Sequence, residues 1–128
     1  MKTKEDVEIL EKTIGQLKAS HSEMSILSKK SPNDAVNPFK LKLINSLLKQ
    51  ANEVLGEKYK AVEGFDVFDD DDAPSTSDVV FILSQYREAV ERFRTDHVIY
   101  DEASYNWVYV LNGKASDILA DAKSRGLG

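Results

Sequence analysis

Residues 105–119 read YNWVYVLNGKASDIL, and the fold class turns on which period they follow. Trp107, Val108, Leu111, Ala115, Ile118 and Leu119, continued by Ala122, recur at helical spacing. Against that, Tyr105, Trp107 and Tyr109 alternate, Val110 is β-branched, and Asn112-Gly113 is the strongest two-residue hairpin signal. Inside a helix Gly113 would cost about 1 kcal/mol. The helix is the favoured reading and a short β-hairpin the alternative. The expectation is a mainly α protein: one compact helical domain over residues 1–128, with three helices and this fourth C-terminal element.

Upstream the helical signals are clearer. Thr3 with Asp6 three residues on makes a capping box in which Asp replaces Glu. Val7, Leu10, Ile14, Leu17, His21 and Met24 then keep a 3–4 spacing, the narrow seam that coiled coils use. A parallel homodimer on that seam would set Asp6 near Glu11 of the other copy and gain nothing from the flanking charges. An antiparallel partner within the chain is therefore expected, with a homodimer left open. Ser31-Pro32 and Asn37-Pro38 read as caps followed by first-turn prolines, so the chain turns twice between residues 29 and 38. A second helix runs from Pro38 to Leu55 and ends at Gly56. Its apolar stripe, from Phe39 and Leu43 round to Leu55, is wide enough to suggest neighbours on two sides. A third helix starts at the cap Ser75, with Asp78 at its third position, and carries Val79, Val80, Ile82, Leu83, Tyr86, Ala89, Val90 and Phe93. The two wide stripes put the second and third helices at the centre, with the first laid across them. The tail Ser124–Gly128 is expected to fray.

Composition narrows the function classes. The chain has 128 residues, the size of one domain, and no cysteine, so disulfides, thiolate chemistry and cysteine-based zinc sites are out. No apolar run approaches a membrane span, and the first twelve residues lack a signal-peptide core; a cytoplasmic location is the default expectation. Net charge is −5, unevenly spread: residues 1–60 carry 11 lysines against 8 acids, a net of +3, leaving −8 for residues 61–128. The acidic half does not suit nucleic acid, whose phosphates need clustered Lys and Arg. No membrane partner and no cofactor are expected.

Between the second and third helices lies a connection over residues 57–74, long for a small bundle. It contains GFDVFDDDD, Gly64–Asp72. As a calcium loop starting at Asp69 it would need an oxygen ligand at Ala73 and a glycine at Pro74, so the EF-hand pattern fails. As a protein-binding epitope it is better equipped. Phe65 and Phe68 offer contact area; Asp66, Asp69, Asp70, Asp71 and Asp72 would steer a basic partner. The plainer reading has Phe65, Val67 and Phe68 plugging the bundle, with the acids in water beside the positive N-terminal end of the third helix. Tyr105, Trp107 and Tyr109 form a second candidate contact cluster, because a helix could not bury all three.

Catalytic patterns are weak. Glu88 and Glu91, with Asp117 and Asp121 four apart, fall short of the Glu-x-x-Glu and Glu-x-x-Asp pairs with which all-α nucleotide pyrophosphohydrolases hold magnesium. His21 sits on the first helix's seam, and His97 lies four residues before Asp101, a pair too small for a metal site. No nucleophile elbow and no glycine-rich phosphate loop is present. The sequence therefore points to a non-enzymatic protein–protein interaction module, a small acidic regulator. One alternative is a small acidic inhibitor such as an immunity protein, antitoxin or restriction antagonist. The other is a magnesium-dependent all-α hydrolase using Glu88, Glu91, Asp117 and Asp121.

Overall fold

The structure is a computed structural model and describes residues 1–120. Three helices, α1 (Lys4–Lys30), α2 (Pro38–Leu55) and α3 (Thr76–Asp96), precede an antiparallel sheet of β1 (Val98–Asp101), β2 (Asn106–Leu111) and β3 (Lys114–Leu119), in that order. Each helix begins as its residues dictate. The Thr3 hydroxyl accepts from the Asp6 N–H while the Asp6 carboxylate accepts from the Thr3 N–H, closing the capping box. Asn37 caps α2 through the Lys40 N–H ahead of Pro38, and Ser75 caps α3 through the Asp78 N–H.

The fold is therefore helical with a sheet, and in place of the expected fourth helix the chain forms strands as far as Leu119. Asn112 and Gly113 both take positive φ, 53° and 75°, and turn β2 into β3. The hairpin pattern prevails because a buried Val98–Tyr109 pair on neighbouring strands faces the helices. A helix through these residues would forfeit that pairing and place a glycine mid-element. The β2–β3 register shifts between Val108 and Val110, and Ser116 fills the gap: its hydroxyl donates to the Tyr109 carbonyl at 2.7 Å. Ala122 and Ser124–Gly128 lie outside the described residues.

Helix directions follow from the contacts. Lys40 meets Glu23 and Gln50 meets Thr13 and Gln16, so α2 runs antiparallel to α1. Thr76 donates to the Ser31 carbonyl while Ser84 and Arg87 meet His21, so α3 also runs antiparallel to α1. The seam Val7–Met24 thus finds its partners inside the chain. The most extensive helix pairing is α1 with α3, and the least is α2 with α3. α1 packs on both other helices, while α2 and α3 bury the larger share of their residues, as their wide stripes imply. Part of the α2 stripe points into solvent, with Phe39 71% and Leu43 54% exposed.

Since α2 and α3 run the same way, the chain must return about 27 Å, the length of an 18-residue helix, between them. The connection lies between the two helices as a strap. Tyr59 packs on Phe93 near the end of α3, the Asp66 carbonyl meets Asn52 and Tyr86 midway, and Phe68 meets Asn45 further up. At the top, Ala35 and Ser75 pair as a β-bridge. Val98 and Tyr109 join the same buried cluster as the three helices. The hairpin turn is also tied to the start of α1, where Asn112 donates to the Met1 and Lys2 carbonyls.

Candidate functional site

Three places hold the residues with chemistry: the strap, the sheet aromatics, and a cleft between α1 and α3.

In the strap, Phe65 and Phe68 turn inward, edge to face with centroids 5.1 Å apart, and Phe65 also meets Tyr86. Asn45, almost fully buried, grips the backbone beyond them. Its Oδ1 accepts from the Phe68 N–H and its Nδ2 donates to the Phe68 carbonyl, both at 3.0 Å. The same Nδ2 reaches Asp70 Oδ1 at 3.1 Å. Tyr86 donates to Asn52 Oδ1 at 2.8 Å and Asn52 donates to the Asp66 carbonyl at 3.0 Å. Asp69, through Oδ1, accepts from the Asp71 N–H and folds the acidic run into a tight turn. Asp66, Asp69, Asp70, Asp71 and Asp72 are all exposed. Asp66 pairs with Lys60 at 3.0 Å, an exposed contact worth little in stability. The strap's length is a consequence of topology and needs no functional explanation. The outward direction of its carboxylates is a separate fact.

The aromatic trio does not act as one surface. Tyr105 precedes β2 at φ 59° and is 79% exposed. Trp107 is half-buried, with Tyr100 edge-on at 5.5 Å. Tyr109 is fully buried, so a partner does not reach it. The Arg94 guanidinium lies over its ring, 5.7 Å from the centroid. Among the described residues neither the Tyr109 hydroxyl nor Arg94 Nε has a hydrogen-bond partner. Burial pushes the Tyr109 hydroxyl up to about 12, against the opposing charge of Arg94.

The α1/α3 cleft has a volume of about 490 Å³ and is lined by Ile14, Lys18, His21, Ser84, Arg87, Glu88, Val90, Glu91 and Arg94. A serine and a histidine meet here: His21 Nε2 lies 3.1 Å from Ser84 Oγ. Arg87 lies 3.1 Å from the other ring nitrogen, Nδ1. Guanidinium groups only donate, so Nδ1 carries the lone pair and Nε2 carries the hydrogen. His21 therefore donates to Ser84 and cannot take its proton, the reverse of a Ser–His nucleophile pair. Burial, then the charge of Arg87, holds the imidazole below its usual pKa and keeps it neutral.

The carboxylate site fares no better. Glu88 and Glu91 line this cleft, but Asp117 sits on β3, where the four-residue spacing to Asp121 no longer places two groups on a helical face. Asp121 lies outside the described residues. Among the described residues no group of three or more His, Asp or Glu is placed to hold a metal ion. α3 ends at Asp96, so His97 and Asp101 do not share a helical face either. His97 donates from Nδ1 to the Phe93 carbonyl at 2.7 Å and stacks on the Phe93 ring, joining α3 to the sheet.

Sequence reasoning missed Asn45, Lys18, Ser84, Arg87 and Arg94. A signal existed for the α3 residues: 84, 87, 91 and 94 repeat at 3–4–3 spacing beside the apolar stripe, a polar face turned toward a neighbour. Among the described residues no helix is long and apolar enough to cross a membrane. The chain matches no family model, no curated protein and no solved structure.

Proposed function

We propose that this chain is a non-enzymatic protein-binding module, a small acidic regulator whose strap carboxylates meet a basic partner. The observation that carries the reading is the grip of Asn45 on Phe68: it fixes the backbone from which Asp69, Asp71 and Asp72 project into solvent. Carboxylates on a held backbone cost little ordering entropy on binding, and their charge speeds encounter with a positive surface. Small inhibitors of nucleic-acid-binding proteins would use the same chemistry, and such an inhibitor is the sharper form of this proposal.

The test is capture from host lysate with the wild-type chain beside a triple variant, Asp69→Asn, Asp71→Asn and Asp72→Asn. Asp70 is spared because it pairs with Asn45, and Asn keeps the acceptor that the turn needs. A protein held by the wild type, released by moderate salt and lost by the variant at unchanged thermal midpoint supports the proposal. The same proteins retained by both chains would remove the strap as the contact surface.

A further inference from the structure

We infer that the α1/α3 cleft binds a phosphate group, held by Lys18, Ser84, Arg87 and Arg94. Arg87 donates to His21 Nδ1, and His21 Nε2–H donates to Ser84 Oγ, so the hydroxyl hydrogen of Ser84 is the end of the relay. Arg87 spends one N–H on the ring and keeps its others. Arg94 lines the cleft beyond Arg87 on α3, and Lys18 lines the opposite wall on α1. Every one of these groups presents a donor, so the cleft asks for an acceptor with several oxygens.

Charge points the same way. Lys18, Arg87 and Arg94 supply three cations, and no carboxylate lies within ion-pair distance of any of them among the described residues. Two acids also face the cleft. Glu88 pairs with Arg92 at 3.3 Å in an exposed contact, so with Arg92 included four cations stand against two carboxylates. A local excess of about two charges suits a phosphate better than a single carboxylate, and guanidinium forks match phosphate oxygens in pairs. Both arginines are half-buried, where an ionic hydrogen bond is stronger than in open water. The cleft volume exceeds that of phosphate alone and leaves room for a small organic group against Ile14. This site is separate from the strap surface and stands or falls independently of it.

The test uses the imidazole of His21 as reporter, with His97 as internal control. The full chain is titrated by NMR with inorganic phosphate, and in parallel with phenyl phosphate, at ionic strength held constant with chloride. A saturable shift of the His21 ring resonances is expected, with its pKa moving upward as an anion arrives beside Arg87, while His97 stays still. Arg94→Gln should weaken binding by about tenfold or more, and so should Lys18→Gln, an exposed substitution that leaves the fold intact. Tighter binding of phenyl phosphate identifies a phosphoester ligand, and equal binding identifies the free ion. A response that stays linear into tens of millimolar, that His97 shares, or that both variants retain would overturn the inference.

Discussion

Asn45 makes three hydrogen bonds with one side chain, two to the Phe68 backbone and one to Asp70. It is a polar residue in the buried face of α2, and its role is to close a backbone that has no strand to pair with. Asn45→Ala leaves an N–H and a carbonyl of the half-buried Phe68 unsatisfied, at about 1–3 kcal/mol for such groups. The expected loss is about 2 kcal/mol in urea unfolding, with faster hydrogen exchange at the Phe68 amide. His21 gives a second prediction at this scale. Its pKa is lowered from 6.5, first by burial and then by Arg87, so the unfolded chain takes up its proton first as pH falls. The penalty is absent above pH 6.5 and grows as pH drops below it, until the folded-state pKa is passed. Stability measured by urea between pH 7.5 and 5 should therefore fall less steeply in His21→Gln than in the wild type. Equal slopes would show that the imidazole is not held neutral.

At the scale of elements, two glycines separate backbone cost from packing. Gly56 ends α2 at φ 65° and ψ −174°, a region that only glycine occupies readily, whereas Gly113 sits at φ 75° in the hairpin turn. A Cβ built at either position meets nothing within 4 Å, so alanine there pays only for conformation. Gly113→Ala should cost about 1–2 kcal/mol, the penalty of a left-handed L-residue. Gly56→Ala should cost as much or more, toward about 3 kcal/mol. Guanidinium or urea titrations of both variants check the order, and a neutral Gly113→Ala would contradict the turn. The same elements show what was readable in the chain. Helix starts were legible because a cap is a local event: Thr3, Asn37 and Ser75 each need only a donor three residues on. The hairpin was present as Asn112-Gly113, but Trp107, Val108, Leu111 and Ala115 also fit a helical period, and only the pairing of Tyr109 with the distant Val98 decides between them. Of the candidate site, the acids of the strap were legible as charge. The cleft was not, because its donors come from two helices and line one cavity only after folding.

At the scale of the molecule, α1 packs on both other helices. Its contact with α2 is partly polar, through Thr13, Gln16 and Gln50, which a count of apolar residues leaves out. Thr13 is fully buried with its hydroxyl bonded to the Ile9 carbonyl and to Gln50. The sheet shares the helices' core: Val98 and Tyr109 belong to the cluster that the helices form, Met1, Trp107 and Ile118 pack on its margin, and Val108 is buried outside it. A three-stranded sheet of this size gains stability mainly from the surface it packs against. Helices and sheet should thus unfold together. The chain carries its own probes for this, since Trp107, the sole tryptophan, sits in β2 while far-ultraviolet circular dichroism reports the helices. In urea, tryptophan fluorescence and ellipticity at about 222 nm should give one coincident midpoint, with a free energy in the usual domain range of about 5–15 kcal/mol. Val98→Ala removes a buried side chain that lies in the sheet yet touches the helical core, and should lower both midpoints equally, by about 1–3 kcal/mol. A fluorescence transition that precedes the helical one, or a Val98→Ala effect confined to fluorescence, would make the sheet a separate cooperative unit docked on a self-sufficient bundle.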